Sequence, residues 1–388
     1  MSRIEQLQKF TDQFKTTDLW KAMAKTKEDS PWHREDSVAI HTEMVLASFL
    51  NDVSYSYLTE NPLKVIDESA FIVTYLSLLF HDTGKPPCKV VKFKEERGYY
   101  NAFHGHEIYS ARLFEDYFVK NYKQFEGWLS AEEAYKVMWI IENHLPYDAM
   151  GNDKKMDYLR TALDGNLGEH WQCFGWHLLS DTYGRISDDA ETKRAKTEEF
   201  VSLMNSATVA APRIIKDDAP VLNLLVGASG SGKSTYVKKL TEEGFAHFSF
   251  DDIRVKLALE NGVVDKGDPV KLYGDAFGYC DKHRSEFGHR ADVEFIKLLK
   301  DYRSVVVDNT NVSRKARTKF VVEAKKRGYS VVATVFPVSL DTLLDRMHSR
   351  VDKNVPDDVV KNQYFKVSLP WVGVEVDSLN IVKDNLET

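Results

Sequence analysis

The stretch Gly227-Ala228-Ser229-Gly230-Ser231-Gly232-Lys233-Ser234-Thr235 follows an apolar run, Val221–Val226, and precedes a segment that suits a helix. The apolar run is typical of a buried strand. A glycine-rich loop between a strand and a helix lets backbone N–H groups converge on phosphate oxygens, and the helix start adds the positive end of its dipole. The pattern G-x-x-x-x-G-K-S therefore predicts a site for ATP or another nucleoside triphosphate.

Within this loop, Lys233 is expected to reach the β- and γ-phosphates, and the Ser234 hydroxyl is expected to hold Mg²⁺. The other loop residues are expected to bind the nucleotide mainly through their backbone: Gly227, Ser229, Gly230, Ser231, Gly232 and Thr235. A glycine- and serine-rich turn without a ligand is the alternative interpretation. The strand before the loop and the helix after it favour the phosphate site.

The charge of the 388-residue chain is unevenly distributed. The net charge is −7; residues 221–388 hold 26 basic and 24 acidic residues (+2), which leaves 26 basic and 35 acidic residues (−9) for residues 1–220. An acidic total argues against non-specific coating of nucleic acid. Local basic grooves remain an option at 314–319 and 325–327, where solvated helix faces are the alternative.

The positions of the cysteines and the lengths of the apolar runs limit the cellular compartments in which we expect the protein. Cys88, Cys173 and Cys280 lie far apart, which indicates neither a zinc ribbon nor a disulfide framework. The first residues lack an apolar signal core, and no apolar run approaches membrane-spanning length. We therefore expect a cytoplasmic protein with no membrane partner.

The pattern of apolar residues changes along the chain and predicts two domains. Residues 1–204 contain apolar helical segments, such as Val38–Leu50 and Ala70–Phe80, and predict an all-helical domain. Residues 205–220 are predicted as a linker. From residue 221 onward, strands alternate with helices, which predicts an α/β domain with a parallel sheet. The predicted strands are Val221–Val226, Phe245–Phe250, Ser304–Val307 and Ser330–Phe336.

The helical domain carries an ordered set of candidate metal ligands. His81 and Asp82 end the apolar segment Ala70–Phe80, where an imidazole and a carboxylate can bind one cation. A single His-Asp pair is most often a surface or capping pair. The other candidates, which change that balance, are His41, His106, His144 and Asp181.

The order H…HD…H…H…D, with the contexts H-D-T-G-K and G-H-E, resembles the HD superfamily of metal-dependent phosphohydrolases over about residues 30–190. The resemblance implies one metal held by His41, His81, Asp82 and Asp181, and a second held by Asp82, His106 and His144. Nitrogen and oxygen ligands of this kind suit Mn²⁺, Fe²⁺, Ni²⁺, Co²⁺ or Mg²⁺. Lys85 would neutralise a phosphate.

Three points in this domain stay open. A single metal is the alternative to two, because His106 and His144 also suit a surface or core role. His104 is left out of the set as a loop residue. His33 either lines the site or supports the helix that follows it.

The second domain carries a further set of charged residues. Asp251 follows a predicted strand and can accept the proton of an attacking hydroxyl, while Arg254 can bind a substrate phosphate. Asp252 is predicted as a helix N-cap. Asp308 ends an apolar strand, as the residue that orders Mg²⁺ or its water does in P-loop enzymes. Arg346 and Arg350 are predicted to share a helix face over the nucleotide, with a solvated face as the alternative.

The combination G-A-S-G-S-G-K-S-T, F-D-D-I-R, V-D-N-T-N and R-M-H-S-R-V-D-K-N-V-P resembles the 5′-kinase domain of phage-type polynucleotide kinases over about residues 222–371. By this resemblance Asp251 is the general base for a terminal 5′-hydroxyl, and Arg254 contacts the neighbouring phosphate. Arg346 and Arg350 would stabilise the transferred phosphoryl group or the donor phosphates.

The order of the two domains is similar to that of bacterial and phage HD-domain polynucleotide kinases, which heal broken RNA ends; the stretch Ser30-Pro31-Trp32-His33-Arg34-Glu35 before His41 also resembles the one in that family. The resemblance implies removal of a 2′,3′-cyclic phosphate or a 2′/3′-phosphate and phosphorylation of a 5′-hydroxyl, in a bacterial or phage-infected cell. RNA with broken ends is the expected substrate, with DNA as an option. The chain shows no ligase lysine motif, so sealing would need a separate RNA ligase.

Two other functions are compatible with these motifs. The first is an HD nucleotidase fused to a kinase of a small metabolite or nucleoside. The second is a nucleotide-responsive switch with a non-catalytic HD module. The pair Asp251 and Arg254 argues against the switch, because a switch has no need of a base for an acceptor hydroxyl.

Overall fold

A computed structural model describes residues 1–28, 33–51, 67–95 and 98–386 of the chain. They form two compact units, Met1–Ala211 and Pro212–Thr388. The stretch Ser30-Pro31-Trp32 lies outside the described residues. In the ranges that are described, no helix combines the length and the apolarity that crossing a membrane requires.

The first unit is built mainly from helices, as predicted. They are α1 (Arg3–Phe14), α2 (Asp18–Lys25), α3 (Val38–Leu50), α4 (Glu68–Phe80), the short α5 (Lys85–Cys88), α6 (His106–Lys120), the short α7 (Tyr122–Phe125), α8 (Ala131–Asn143), α9 (Asp153–Leu167), α10 (Cys173–Tyr183) and α11 (Ala190–Ser206).

Helix α4 is the centre of this unit. It packs against α1, α3, α6, α8 and α10, and residues on all its sides, such as Ile72, Val73 and Leu78, are buried. Asp67 caps its start by accepting the Ala70 N–H at 2.7 Å. Because a helix that is apolar all round is stable only when it is surrounded, α4 carries the residues at its C-terminal end into the middle of the unit.

The first unit is not entirely helical, so the all-helical prediction is wrong at one place. Strand β1 (Val90–Lys94) pairs antiparallel with β2 (Gly98–Ala102) and forms a hairpin. β1 is exposed along its whole length. Val91-Lys92-Phe93-Lys94 in β1 does alternate apolar and polar residues, but a run of about four residues is the shortest that indicates a strand.

The segment predicted as a linker is tied to the units that flank it. Helix α11 runs to Ser206, two residues into the predicted segment. The N–H of Thr208 donates to Asp157 Oδ1 at 2.9 Å within the first unit. Arg213 donates to both carboxylate oxygens of Asp377, at 3.1 and 2.6 Å, within the second unit. The division between the units, after Ala211, thus separates two anchored halves of the segment.

The second unit is an α/β domain with a parallel sheet, which confirms the predicted class. The strands are β3 (Val221–Val226), β4 (Ala246–Phe248), β5 (Val305–Val307), β6 (Ser330–Val335) and β7 (Ser378–Ile381), in the order β4-β5-β3-β6-β7. All four pairings are parallel. The helices are α12 (Lys233–Glu242), α13 (Phe250–Glu260), α14 (Pro269–Lys282), α15 (Arg284–Lys300), α16 (Arg314–Lys325), α17 (Leu340–His348) and α18 (Asp357–Tyr364).

Two strands differ from the prediction. The predicted strand Phe245–Phe250 is shorter, because Ser249 caps α13 and Phe250 is already the first helical residue. The edge strand β7 was not predicted. Its sequence, Ser-Leu-Asn-Ile, is only partly buried and lacks the apolar run that marks the central strands.

The basic stretch 314–319 is not a purely solvated helix face. The side chain of Arg317 is fully buried, and its Nε and Nη2 donate to the two carboxylate oxygens of Glu375 at 2.6 and 3.1 Å. Its Nη1 donates to the carbonyls of Asn311 and Ser368 at 2.9 and 2.8 Å. Arg317 therefore joins α16 to the segments that flank it rather than forming a basic groove.

We predict that Arg317→Ala destabilises the second unit by about 3–5 kcal/mol, because it leaves the Glu375 carboxylate buried without its cation. Hydrogen exchange of peptides from β3 and β6, measured in increasing urea, reports the unfolding free energy of this unit. Lys315→Ala, an exposed position on the same helix, is the matched control and should change that energy by less than about 0.5 kcal/mol. Equal effects of the two variants would contradict a stabilising role for the buried pair.

Candidate active sites

The glycine-rich loop connects β3 to α12, as its sequence predicts. The Nζ of Lys233 donates hydrogen bonds to two carbonyl oxygens of the loop, those of Gly227 at 2.8 Å and Ala228 at 2.7 Å. Gly227 lies at the base of the loop, where a Cβ atom would come within 2.6 Å of Ser231 Oγ. A side chain at position 227 would therefore open the loop.

Three hydrogen bonds fix the carboxyl ends of neighbouring strands against each other. The Asp308 N–H donates to the Phe248 carbonyl at 2.8 Å, and the Phe250 N–H donates to Asn309 Oδ1 at 3.0 Å. The Gly227 N–H donates to the Thr310 carbonyl at 3.0 Å. Ligands of parallel α/β sheets bind at this edge. The sheet thus presents the loop and the residues after β4 and β5 to one cleft.

This cleft has a volume of about 820 Å³ and collects most of the predicted residues of the second domain. They are Ser229, Gly230, Ser231, Gly232, Lys233, Ser234, Thr235, Asp251, Arg254, Asp308, Arg346 and Arg350. A residue that the sequence analysis did not single out, Lys353, lines the same cleft. It lies in the quoted stretch R-V-D-K-N-V-P, so its charge beside Arg350 was the available signal.

The carboxylate of Asp251 is held between two cations. Arg254 Nη1 donates to Asp251 Oδ1 at 2.6 Å, and Lys353 Nζ donates to Asp251 Oδ2 at 2.8 Å. The guanidinium of Arg254 also lies 5.1 Å from the ring of Phe277 and 4.9 Å from that of Phe287. These contacts orient Asp251 on the first turn of α13 and place positive charge and aromatic faces around it.

Two predictions for this cleft are wrong in detail. Asp252 is not the N-cap of α13; the Ser249 hydroxyl accepts the N–H groups of Asp251 and Asp252 instead. Arg350 is not on a helix with Arg346, because α17 ends at His348. Beyond that end, the guanidinium of Arg350 is held by both carboxylate oxygens of Asp352 at 2.6 Å.

The electrostatics of the cleft favour a bound anion. Burial lowers the pKa of Lys233 to about 8; the Asp308 carboxylate opposes this shift, and the cations of Lys353 and Arg350 add to it. A phosphate group near these cations would be stabilised, and it would restore the charged form of Lys233.

In the first unit, four of the predicted ligands converge at the C-terminal end of α4. His41 Nε2 lies 3.0 Å from Asp181 Oδ1 and 3.5 Å from Asp82 Oδ2. His81 Nε2 lies 3.1 Å from Asp82 Oδ2 and 3.7 Å from Asp181 Oδ1. These four side chains are buried and come from α3, the end of α4 and α10.

The remaining two predicted ligands lie on the other oxygen of the same carboxylate. His106 Nε2 lies 3.2 Å from Asp82 Oδ1. The ligand atoms of Asp82, His106 and His144 all lie within 4.8 Å of one another, as do those of His41, His81 and Asp82. The structure therefore brings together two groups of donors that share Asp82.

Three of these imidazoles are oriented by their own helices. The Nδ1 atoms of His81, His106 and His144 each lie 2.7 Å from the carbonyl oxygen three residues earlier, which belongs to Leu78, Phe103 and Ile141 respectively. A proton on Nδ1 that is donated to this carbonyl leaves the lone pair on Nε2 for a cation.

Two properties of these donor atoms suit a divalent cation. The buried His81 Nε2 has no hydrogen bond among the described residues. Burial and the neighbouring imidazoles of His106 and His81 lower the pKa of His144 to about 3, so its ring is neutral, as a metal ligand must be. Nitrogen and carboxylate oxygen donors without thiolates suit the metals that the sequence implies.

Gly84 allows the close approach on which this cluster depends. A Cβ atom at position 84 would lie 2.5 Å from the His106 carbonyl and 2.8 Å from the Ser110 nitrogen. The Gly84 N–H donates to Ser110 Oγ at 2.8 Å. The glycine of H-D-T-G-K therefore lets the end of α4 contact the start of α6, which carries His106.

Lys85 is buried beside the cluster. Its Nζ lies 2.7 Å from Asp82 Oδ2 and also contacts Glu28 Oε1. Burial alone would lower the pKa of Lys85, but the carboxylates of Asp82 and Glu28 raise it above its ordinary value. Lys85 is therefore a permanent cation at this site, as its predicted role toward phosphate requires.

A second layer of acidic groups supports the cluster. His33 Nδ1 lies 3.2 Å from Glu28 Oε2 and 3.5 Å from Glu35 Oε2, and the donor atoms of these three residues and of His41 all lie within 4.8 Å of one another. Glu35 Oε1 accepts the Ile186 N–H at 2.6 Å and lies 3.6 Å from His41 Nδ1. Sequence analysis missed Glu28, because an isolated glutamate carries no pattern, and it included Glu35 only as the last residue of the stretch Ser30–Glu35.

Two further residues at this site, the half-buried Arg185 and the buried His177, were also missed. Arg185 Nη2 donates to Asp181 Oδ2 at 2.8 Å. The ring of His177 lies 5.6 Å from that of His81 and 5.7 Å from that of His144. His177 precedes Asp181 by four residues on α10, and this helical spacing was the available signal. His104 is exposed, and its Nε2 lies 2.6 Å from Lys92 Nζ.

Comparisons with known proteins bear mainly on the second unit. Residues 222–370 match the family model described as an AAA domain. Over 209 residues the chain is 34% identical to a protein of Autographa californica nuclear polyhedrosis virus whose name assigns it polynucleotide kinase and RNA ligase activities. This alignment covers 50% of the chain and 29% of the viral protein, so the chain spans less than a third of that relative.

Among solved structures, the chain is similar to the crystal structure of a gluconokinase from Sinorhizobium meliloti. The sequence identity is 20%, the match covers 44% of this chain and 86% of the gluconokinase, and the TM-score is 0.28. The matched family model covers the phosphate loop, the strands β3 to β6 and the residues that line the cleft between 229 and 363. The C-terminal part of the chain therefore contains a P-loop α/β domain that matches this family model.

Proposed function

We propose that this protein heals the ends of broken RNA with two active sites. The helical unit hydrolyses a 2′,3′-cyclic phosphate or a 2′/3′-phosphate, and the P-loop unit transfers the γ-phosphate of a nucleoside triphosphate to a 5′-hydroxyl. The observation that carries the kinase half is the Asp251 carboxylate, held by Arg254 and Lys353 in the cleft that also contains Lys233 and Asp308. A nucleotide-binding switch does not need a carboxylate that accepts a proton from an acceptor hydroxyl.

In the kinase reaction, Asp251 accepts the proton of the 5′-hydroxyl as its oxygen attacks the γ-phosphorus. The bond from that phosphorus to the β–γ bridging oxygen breaks, and the nucleoside diphosphate leaves. Lys233, Arg346 and Arg350 stabilise the negative charge on the phosphates, and Arg254 binds the first phosphate of the acceptor strand. Ser234 and Asp308 would hold Mg²⁺, which would supply positive charge that neutralises the donor phosphates.

In the hydrolytic reaction, a water oxygen attacks the phosphorus at the 3′ end, one bond from phosphorus to a ribose oxygen breaks, and a proton of the water passes to that ribose oxygen. This step opens a 2′,3′-cyclic phosphate to a monoester, and the same step on the monoester releases inorganic phosphate. His41, His81, Asp82, His106, His144 and Asp181 would hold two divalent cations, which supply Lewis acidity and an activated water. Lys85 and Arg185 bind the phosphate and stabilise the charge that develops on it. Glu35 keeps the His41 ring in place.

A polynucleotide acceptor is supported by the name of the viral relative and by the aromatic rings around Arg254. Phe277, which is 48% exposed, can stack on a base next to the 5′ end. Ligation belongs to a separate RNA ligase under this proposal, because the two sites only prepare the ends. A kinase of a small metabolite is the competing function, and it requires mononucleotides to react as fast as oligonucleotides.

We predict that Asp251→Asn lowers the rate of 5′-phosphorylation by at least about 100-fold, because it removes the proton acceptor. The substrate is an RNA oligonucleotide with a 5′-hydroxyl and a 2′,3′-cyclic phosphate, and the transfer of label from γ-labelled ATP is measured. Asp252→Asn, the exposed neighbour, is the control and should stay within about threefold of the unaltered protein. If a nucleoside control is phosphorylated and the oligonucleotide is not, the metabolite-kinase function replaces this one.

We predict that the affinity for ATP falls as the pH rises above about 8. The lowered pKa means that Lys233 loses its proton near that pH, and ATP must then restore the proton as it binds. Calorimetric titrations between pH 7 and 9.5 should show a decline that approaches tenfold per pH unit above 8. In Lys233→Arg the guanidinium stays charged, so any ATP binding that remains should be flat over this range. A flat profile in the unaltered protein would falsify the role given to Lys233.

We predict that His106→Ala and His144→Ala each lower the bound divalent metal by about one equivalent per chain, because each removes a ligand of the second group. Metal content after equilibration with Mn²⁺ is measured by mass spectrometry, and release of the 3′ phosphate is measured on the oligonucleotide above. His104→Ala is the control for metal content, because His104 is exposed and lies two residues before His106. One equivalent in the unaltered protein, unchanged in both variants, would support the one-metal alternative, and two equivalents retained in both variants would contradict the role given to these histidines.

A further inference from the structure

We infer that the hairpin of β1 and β2 binds the single-stranded RNA that leads into the phosphohydrolase site. We call its exposed residues Lys89, Lys92, Phe93, Lys94 and Tyr99 the hairpin surface. This inference rests on the proposed function and names how that site recognises a polymer rather than a mononucleotide.

The hairpin is joined at both ends to the metal-ligand cluster. Four residues of α5, beginning with Lys85, lead into β1, and Phe103 follows β2. The ring centroid of Phe103 lies 5.7 Å from Lys85 Nζ, and its carbonyl oxygen lies 2.7 Å from His106 Nδ1. A strand bound along the hairpin therefore ends beside Lys85 and His106.

The base of the hairpin is fixed, whereas its outer part is exposed. The buried Asn101 donates from Nδ2 to the Lys27 carbonyl at 3.2 Å, and Lys92 Nζ lies 2.6 Å from His104 Nε2. In contrast, Phe93 is 59% exposed and Tyr99 is 79% exposed. The hairpin thus presents its side chains from a fixed base.

The apolar residues of the hairpin have no role in a core. Phe93 and Tyr99 are cross-strand partners, and their ring centroids lie 5.1 Å apart. The strand β1 is exposed along its whole length, and an isolated two-stranded ribbon is marginally stable in water. Clustered apolar side chains at such a place indicate a surface for binding.

The charge of the hairpin surface identifies the partner. Lys89, Lys92 and Lys94 lie on β1 or next to it and outnumber the acidic Glu95, whereas residues 1–220 carry a net charge of −9. Lysines interleaved with exposed aromatic rings bind phosphates and stack on bases, as single-stranded nucleic acid requires. Lysines along an exposed edge also oppose pairing with a strand of another protein. RNA is therefore the favoured occupant.

The length of the hairpin sets the size of the bound segment. Five residues per strand span about 17 Å, which exceeds the size of a single nucleotide. The hairpin surface should therefore contribute to the binding of an oligonucleotide and should contribute little to the binding of a 2′,3′-cyclic mononucleotide.

The test compares these two substrates in the double variant Phe93→Ala/Tyr99→Ala, in the full-length protein loaded with Mn²⁺. The oligonucleotide carries a 5′-phosphate, so that it is no acceptor for the kinase site, and a 2′,3′-cyclic phosphate. We expect the KM for this oligonucleotide to rise at least about tenfold. The rate with the 2′,3′-cyclic mononucleotide should stay within about twofold. The control variant is Lys154→Ala/Tyr158→Ala, which removes an exposed lysine and an exposed aromatic ring elsewhere in the same unit. The Lys154 Nζ and the ring centroid of Tyr158 lie 5.6 Å apart.

A second readout does not depend on hydrolysis. Fluorescence anisotropy measures the binding of the same 5′-phosphorylated RNA with an unmodified 3′ end at several salt concentrations. In Lys89→Ala/Lys94→Ala the slope of log Kd against log salt should fall by about 1.4, or about 0.7 for each lysine that no longer neutralises a phosphate.

The outcomes separate this inference from the proposed function. Unchanged oligonucleotide kinetics and an unchanged salt slope, in a protein that hydrolyses both substrates, would overturn the hairpin surface alone. An equal loss with both substrates would assign the hairpin a merely structural role and would also overturn it. If the unaltered protein hydrolyses neither substrate, the proposed function fails, and the salt slope alone decides whether the hairpin binds RNA.

Discussion

The burial of one carboxylate, that of Asp82, constrains the arrangement of the first unit. A buried anion without compensation is very costly, and α4 carries this one to the centre of the helices. The compensation comes from Lys85, from the imidazole of the adjacent His81, and from imidazoles on two other segments, those of His41 and His106. The same convergence of donors produces the chemical site, so the requirement for stability and the requirement for a cation site coincide.

In the second unit, the hydrogen-bonding requirement of the backbone at the ends of the strands sets the geometry of the site. In a parallel sheet, the strands end at one edge, and their last carbonyl and N–H groups need partners there. Hydrogen bonds between the ends of β3, β4 and β5 supply those partners and fix the loop of Gly227 beside Asp251 and Asp308. The cations of Lys233, Arg346, Arg350 and Lys353 then face one cleft. Here the main chain sets the geometry, and the side chains supply the charge.

The sequence allowed the two fold classes and most residues near each site to be predicted, since both depend on order and spacing along the chain. The loop of Lys233 and the pair His81-Asp82 are local patterns. The site residues that the sequence did not predict take part in contacts between distant segments. Glu28 contacts Lys85, 57 positions away, and Lys353 contacts Asp251, 102 positions away. The hairpin of β1 and β2 escaped prediction because the alternating run in β1 is only about four residues long, the shortest that indicates a strand. The N-cap was misplaced by three residues because serine and aspartate both suit that position.

The anchored halves of the segment around Ala211 have a consequence for the history of the chain. Each unit keeps the hydrogen bonds that hold its own half, through Asp157 on one side and Asp377 on the other. A recombination breakpoint between Ala211 and Pro212 would therefore cut no anchoring contact of either unit. The two units could therefore be exchanged independently at this point, because each would keep the hydrogen bonds that hold its own half of the segment.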